Sequence, residues 1–340
     1  MKAKDVTGQA PGGVRQRLAD ILPLNTPLLV EIFPIYACNF KCRYCIMSVK
    51  REKHNFISEK VALELSDFKK YTTDIGLFPQ EVKVVRFSGV GEPLLHKNIS
   101  EMVEYVSPIV GSVEILTNGS LLTPKLSDKL IKAGLGRLLV SIQGTSSEKY
   151  KRICGVDINL KQFIDNLRYY FEHKGEKQQV HIKIIDYALD DEADEQRFYQ
   201  NFGDVCDTIG IERLGAIHPN VNYEKMLCGR NKKFTQYGVH TSNIQVCPQP
   251  FFRLQINPDG KVVPCYSLVY PTIIGDCNND SIYDIWNGGE FGRFRRKMLN
   301  GIKNVCTVCA NCEMIKHRIF PEDVLDNNAE RLKRIYNNDM

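Results

Sequence analysis

Between residues 28 and 217 the chain alternates short apolar, β-branched runs with longer stretches in which apolar residues recur every three or four positions. The runs at 28–35, 82–87, 113–116, 138–142, 180–185 and 211–217 predict six strands, each bounded by turn residues. The stretches at 58–75, 123–133, 160–171 and 190–209 read as amphipathic helices. Ser58 and Thr123 are the expected N-caps, and Gly76 and Gly134 the expected stops. Six β/α units in series predict a parallel sheet covered by helices. Six are too few to close an eight-stranded barrel, so the expected fold is α/β, a partial (β/α)6 TIM-like barrel.

The pattern changes near Met226. Residues 247–312 contain six cysteines. They also carry a hairpin signal, the run 251–256, then Asn257-Pro258-Asp259-Gly260, then 261–265. A helix is expected over 281–299 and a last charged helix over 321–336. The organisation read from this is an extension at 1–27, the barrel at 28–225, a small cysteine-rich domain at 226–320 and a terminal helix at 321–340. No internal repeat or low-complexity segment is present.

Composition adds little until the cysteines are counted. Apolar residues make up 43% and charged residues 25%, as in ordinary globular proteins. A net charge of +5 without a basic run gives no ground for nucleic-acid binding and suits an anionic small molecule equally well. The first twenty residues lack the apolar core of a signal peptide. The apolar stretch 21–37 is interrupted by Pro23, Asn25, Pro27, Glu31 and Pro34, too short and broken to span a bilayer. The expectation is a cytoplasmic protein with no membrane contact. In that compartment twelve cysteines point to metal more readily than to disulfides.

The first cysteine group, Cys38-x-x-x-Cys42-x-x-Cys45, directly follows the first predicted strand. Loops at the carboxyl ends of parallel strands carry active sites. A loop so spaced wraps three thiolates around one corner of an iron–sulfur cubane. Such a 4Fe–4S cluster needs four ligands, so one iron stays open for something else. The alternatives at this point are a zinc knot or buried free thiols. Zinc sites usually add a second cysteine pair or histidines, and no histidine occurs nearby before His54.

These residues, with Tyr44 before the third cysteine, resemble the radical S-adenosylmethionine (SAM) superfamily. The resemblance implies that SAM chelates the open iron and is cleaved reductively to a radical that removes a hydrogen atom from carbon. Ser88-Gly89-Val90-Gly91-Glu92-Pro93 looks like the family's turn for the SAM amino group, with Gly91 giving close backbone approach and Glu92 a charged partner. Asn118, in Thr117-Asn118-Gly119, and Ser141 and Gln143, at the end of the fourth strand, are placed like the family's polar SAM contacts. Arg152 is placed like an arginine that meets the SAM carboxylate in some members. Each of these could instead be a turn or capping residue.

Cys247, Cys265 and the run Cys306-x-x-Cys309-x-x-Cys312 resemble the family's C-terminal SPASM or shorter twitch extension, which holds auxiliary 4Fe–4S clusters. The shorter form implies one auxiliary cluster on Cys247, Cys265, Cys309 and Cys312, fully ligated and suited to electron transfer or structure. Cys306 and Cys277 stand as alternatives to Cys309, and a structural zinc as the alternative to the cluster. Cys154 and Cys228 are candidate hydrogen-atom donors, or simply buried thiols, as Cys206 is expected to be.

The expected function is an oxidoreductase acting on a small sugar-, cyclitol- or nucleoside-type substrate by dehydrogenation, rearrangement or epimerisation. The expected electron donor is external, a flavodoxin or ferredoxin. The alternative is a ribosomal peptide maturase, though such enzymes often carry an N-terminal peptide-binding domain and only 27 residues precede the first predicted strand here. A non-enzymatic iron–sulfur protein is the remote alternative. Asp186, Tyr187, His218, Asn220 and Arg253 are the polar substrate candidates, with His218 also a candidate proton acceptor.

Overall fold

A computed structural model describes residues 2–9, 15–54, 58, 60–218, 220–228, 233–240, 243–266 and 269–338. Its strands are β1 (Lys4–Asp5), β2 (Leu29–Ile32), β3 (Val84–Phe87), β4 (Val113–Thr117), β5 (Arg137–Ile142), β6 (Gln179–Ile185) and β7 (Thr208–Glu212). Then follow β8 (Arg253–Ile256), β9 (Lys261–Val263) and β10 (Gly275–Asp276). They form one sheet in the order β1-β7-β6-β5-β4-β3-β2-β8-β9-β10. Strands β2 to β7 are parallel neighbours, which is the expected six-stranded partial barrel. Its ends do not meet: β1 adds to β7 on one side, and β8 adds in parallel to β2 on the other. The cysteine-rich hairpin therefore prolongs the barrel sheet.

Alternation along the strands sorts their side chains. Val30 and Ile32, Val85 and Phe87, Leu138 and Val140, and Ile182 and Ile184 are almost wholly buried in the main apolar cluster with the helices. Each such side chain contributes about 1.5–3 kcal/mol through apolar area removed from water. The intervening positions carry Glu31, Arg86, Glu114 and Arg137, which are register partners across four adjacent strands. Opposite charges at paired positions stabilise a sheet.

Several boundaries differ from the sequence reading. The helix expected at 58–75 runs only over Leu65–Thr72, because Tyr36 N donates to Val61 O and Leu63 N to Pro34 O, tying 61–63 to the end of β2. Ser58 is thus not its cap, and residue 59 lies outside the described residues. Thr123 does cap the next helix, accepting from Leu126 N at 3.2 Å, and Gly134 ends it at φ +82°. The sixth strand ends at Glu212, not 217, because Arg213 N turns to Gln236 O and Leu214 N to Asp186 Oδ1. The helix expected over 190–209 covers Glu192–Phe202. That over 281–299 breaks at Gly288 into Ile282–Asn287 and Gly289–Leu299, and the tail is helical only from Ala329 to Asn338. Among the described residues no helix is long and apolar enough to cross a membrane.

Candidate active site and auxiliary cluster cavity

The first cysteine loop leaves β2 and is fixed from three sides. Lys41 N and Arg43 N donate to the carbonyls of Cys154 and Ile153, the last residues of the helix Ser147–Cys154. Glu92 N donates to Ala37 O at 2.8 Å. Asn39 Nδ2 donates to Ser120 Oγ at 2.8 Å, and Asn118 Nδ2 to Asn39 Oδ1 at 2.9 Å. The ends of β3, β4 and β5 thereby hold the loop over the barrel mouth. Burial pushes the Cys38 and Cys45 thiols up to about 12, so ionised thiolates there need a positive centre beside them. Iron supplies one.

The turn after β3 depends on its glycines. A Cβ on Gly91 would stand 2.1 Å from Ile35 O and 2.9 Å from Ala37 O, so only glycine lets this turn touch the strand that feeds the cysteine loop. Glu92 is held by partners within the protein. Its buried carboxylate accepts from Leu94 N, Thr117 Oγ1 and, at 2.7 Å, Asn118 N, stitching the turn to the end of β4. Burial raises its pKa to about 7 against the lowering effect of those hydrogen bonds. Asn118 is likewise engaged with Asn39 and Ser120. Arg152 forms a two-point pair with Asp190 at 2.8 and 2.9 Å on the half-exposed rim.

A cavity of about 150 Å³ sits beside the loop. Tyr44, Cys45, Ser141 and Gln143 line it together with Lys183, Glu212, His218 and Arg318. The Tyr44 hydroxyl lies beside the Cys42 thiol. The Gln143 Oε1 and His218 Nδ1 atoms are buried and have no hydrogen-bond partner among the described residues. Burial, helped by Arg318, lowers the His218 pKa to about 3, so the imidazole is neutral and a poor candidate for a resting cation. Unpartnered polar atoms facing a cavity beside the cysteine loop fit a polar cofactor or substrate.

Of the other candidates, Asp186 lines a neighbouring groove of about 790 Å³ that shares Arg213 and Leu214 with this cavity. Tyr187 packs its ring edge 6.1 Å from Tyr44. Asn220 donates to Lys53 O, away from the cavity walls. Arg253 points into the sheet and pairs with the buried carboxylate of Glu31. Cys154 is buried with its Sγ 3.6 Å from Cys42 Sγ, behind the loop and not among the cavity walls. Cys228 is exposed. Cys206 is buried, as expected.

The second cysteine group surrounds a cavity of about 330 Å³ lined by Cys247, Cys265, Cys309 and Cys312. The thiols come from three chain segments and share walls with Ala216, Ile217, Tyr266 and Pro271. Cys306 is not among those walls, but it stands beside Cys309, and its Sγ donates to Pro271 O, a wall residue, at 3.4 Å. Cys277 is buried elsewhere, near Asp276 and Lys70. Four thiols around one cavity fit a fully ligated cluster. Ile217 belongs to the walls of both this cavity and the one beside Cys45, so the two centres are neighbours.

Sequence reasoning missed Lys183, Glu212 and Arg318. The two strand residues carried a signal, a lone charge at an inward position of an apolar run. Arg318 had none, because it reaches the mouth from a segment following the last cysteines.

A family model described as the radical SAM superfamily matches residues 32–197, and one described as an iron–sulfur cluster-binding domain, SPASM, matches 247–313. The chain is 29% identical over 226 residues to a GTP 3′,8-cyclase of Aquifex aeolicus (strain VF5), covering 63% of this chain and 68% of that protein. It is 23% identical over 334 residues to a tungsten-containing aldehyde ferredoxin oxidoreductase cofactor-modifying protein of Pyrococcus furiosus, covering 82% of this chain and 87% of that one. Its fold is similar to that of Streptococcus suis SuiB bound to the precursor peptide SuiA, with a TM-score of 0.58 and 15% identity over 86% of this chain and 71% of that chain. With three thiols over a barrel mouth and four around a second cavity, the chain belongs to the radical SAM superfamily, an enzyme of the 4Fe–4S cluster and SAM with a C-terminal SPASM-type domain for auxiliary iron–sulfur.

Proposed function

We propose that this enzyme is an oxidoreductase acting on a small hydroxylated substrate of the sugar, cyclitol or nucleoside type, held in the cavity beside Cys45. When bound, the reduced cluster and SAM supply a 5′-deoxyadenosyl radical that removes a hydrogen atom from the substrate. Cys38, Cys42 and Cys45 would hold the cluster, and the Gly91 turn together with Tyr44 and Ser141 positions SAM, leaving Gln143 to the substrate. The carrying observation is the set of unpartnered polar atoms, Gln143 Oε1 and His218 Nδ1, in a cavity of about 150 Å³ beside that loop. Such groups suit the hydroxyls of a small molecule. Cys247, Cys265, Cys309 and Cys312 would hold the auxiliary cluster, which would supply electron transfer or a structural tie, and Ile217 is a wall of both cavities. A flavodoxin or ferredoxin supplies the first electron.

The relative named a GTP 3′,8-cyclase supports a nucleotide-like substrate. A precursor peptide is the second reading, favoured by the fold likeness to peptide-bound SuiB and by the open groove of about 790 Å³ at the mouth. The test is 5′-deoxyadenosine release by the anaerobically reconstituted enzyme with nucleosides, nucleotides, sugars and cyclitols, together with deuterium transfer from labelled substrate. Stimulation by one of these classes is expected. Stimulation by a precursor peptide alone would overturn the small-molecule reading.

A further inference from the structure

Among the described residues the buried cations facing the barrel interior are matched with carboxylates, whereas of the cations lining the cavity beside Cys45 the exposed Arg213 and the half-buried Arg318 are not. Glu114 takes Arg86 and Arg137, Glu31 takes Arg253, and Glu212 takes Lys183. Arg318 lines the cavity beside Cys45, and its contacts are neutral. Its Nε donates to Gln236 Oε1 at 3.0 Å, and its guanidinium lies 4.7 Å over the Tyr266 ring. No carboxylate among the described residues is within ion-pairing distance of it. Glu212, whose charge reaches it, is already held by Lys183 and by Gln236 Nε2. Arg318 is half-buried, and a guanidinium partly removed from water is stabilised by an anion beside it.

The cavity walls indicate the side from which that anion comes. Tyr266, over whose ring Arg318 lies, is a wall of the auxiliary cavity, whereas Arg318 is not. Arg318 instead shares the cavity with Cys45, Ser141, Gln143 and His218. The unpartnered Gln143 Oε1 and His218 Nδ1 atoms belong to the same walls. A planar donor fork beside a neutral imidazole and an amide oxygen matches an oxyanion flanked by hydroxyl groups.

We propose that Arg318 is the anion-binding residue of the substrate cavity, and that the substrate carries a carboxylate or phosphoryl group that docks on it. This rests on the small-molecule reading above and narrows it to an anionic substrate. The shared chemistry could also come from the carboxylate of SAM itself, and the experiment separates the two.

The experiment uses holoenzyme reconstituted anaerobically with iron and sulfide and saturated with SAM. Its melting temperature is followed against inorganic phosphate and, separately, acetate at constant ionic strength. A saturable rise is expected with phosphate, weakened about tenfold in Arg318→Gln and partly restored in Arg318→Lys. Arg293→Gln, an exposed arginine on the helix Gly289–Leu299, serves as the control and should match the parent. SAM affinity and the electron paramagnetic spectrum of the auxiliary cluster are read in the same samples. Absence of a saturable effect of either anion would overturn the proposal. So would a tenfold loss of SAM affinity in Arg318→Gln with phosphate binding unchanged, which would assign the anion to SAM. A change confined to the auxiliary cluster spectrum would also overturn it, making Arg318 a counter-ion of that cluster. Should Arg318→Gln fail to load iron, Arg318→Lys carries the comparison. The binding assay involves no turnover, so failure of the small-molecule reading would register only in the release assay.

Discussion

The two cysteine-lined centres are built in opposite ways. The first takes all its thiols from one short loop, and a polar network of Asn39, Glu92, Thr117 and Asn118 clamps that loop from outside. The second gathers Cys247, Cys265, Cys309 and Cys312 from separate segments around one cavity. Three thiols on a loop would leave one iron of a cluster without a protein ligand, and Cys45 of that loop lines the cavity with Ser141 and His218, whereas four thiols around one cavity would ligate a cluster fully. The difference teaches that openness is set by where the chain supplies ligands. A local motif positions a corner, while closure needs long-range folding.

The largest effect expected is from the thiols. Replacing Cys38, Cys42 and Cys45 together by alanine should abolish SAM cleavage and lower bound iron from about eight to about four per chain. Cys309→Ala should also remove about four irons but spare SAM binding, while Cys306→Ala should keep both clusters, read by iron and sulfide analysis. Equal loss in the Cys306 and Cys309 variants would break the ligand assignment.

Next in size is Gly91→Ala. The added Cβ meets the carbonyl of Ile35, so the turn must move away from the cysteine loop. A cost of about 1–3 kcal/mol in stability is expected, with SAM affinity lost at the first centre and the auxiliary cluster intact, measured by melting and equilibrium dialysis.

A smaller effect separates the barrel interior from the rest by pH. Burial lowers His181 from 6.5 to about 3, so the folded state binds fewer protons than the unfolded chain between those values. Stability supplied by its neutral form is present above about 6.5 and is lost as pH falls toward 3. In His181→Gln the fall in melting temperature between pH 6.5 and pH 4.5 should be shallower than in the parent. Identical slopes would remove His181 from the acid response.

The smallest effect is expected at Arg152. Its pair with Asp190 is half-exposed, worth about 0–1 kcal/mol, and Arg152→Gln should leave SAM affinity unchanged. A tenfold loss of SAM affinity would restore the role expected from sequence and show that the arginine swings inward on binding.

The sequence carried the six strands because apolar alternation is a local property, and it carried both cysteine groups because ligand spacing is local too. Thr123 and Gly134 were readable for the same reason. The partners of Glu92, Asn118 and Arg152 were not readable. Whether a polar side chain faces a cavity or a neighbouring loop depends on atoms far along the chain, such as Asn39 for Asn118 and Asp190 for Arg152. The first helix was overextended because pairing of 61–63 with the end of β2 overrode its periodicity.

By itself, then, the sequence determined the barrel's strand pattern and the ligands of an open cluster, since period and spacing need only neighbouring residues. Only the tertiary structure decided that Cys309 lines the auxiliary cavity while Cys306 stands beside it, and that Arg318 arrives beside Cys45 with no carboxylate among the described residues within ion-pairing distance. Those outcomes depend on segments far apart in sequence packing against one another, and no local pattern encodes which buried charges will find partners.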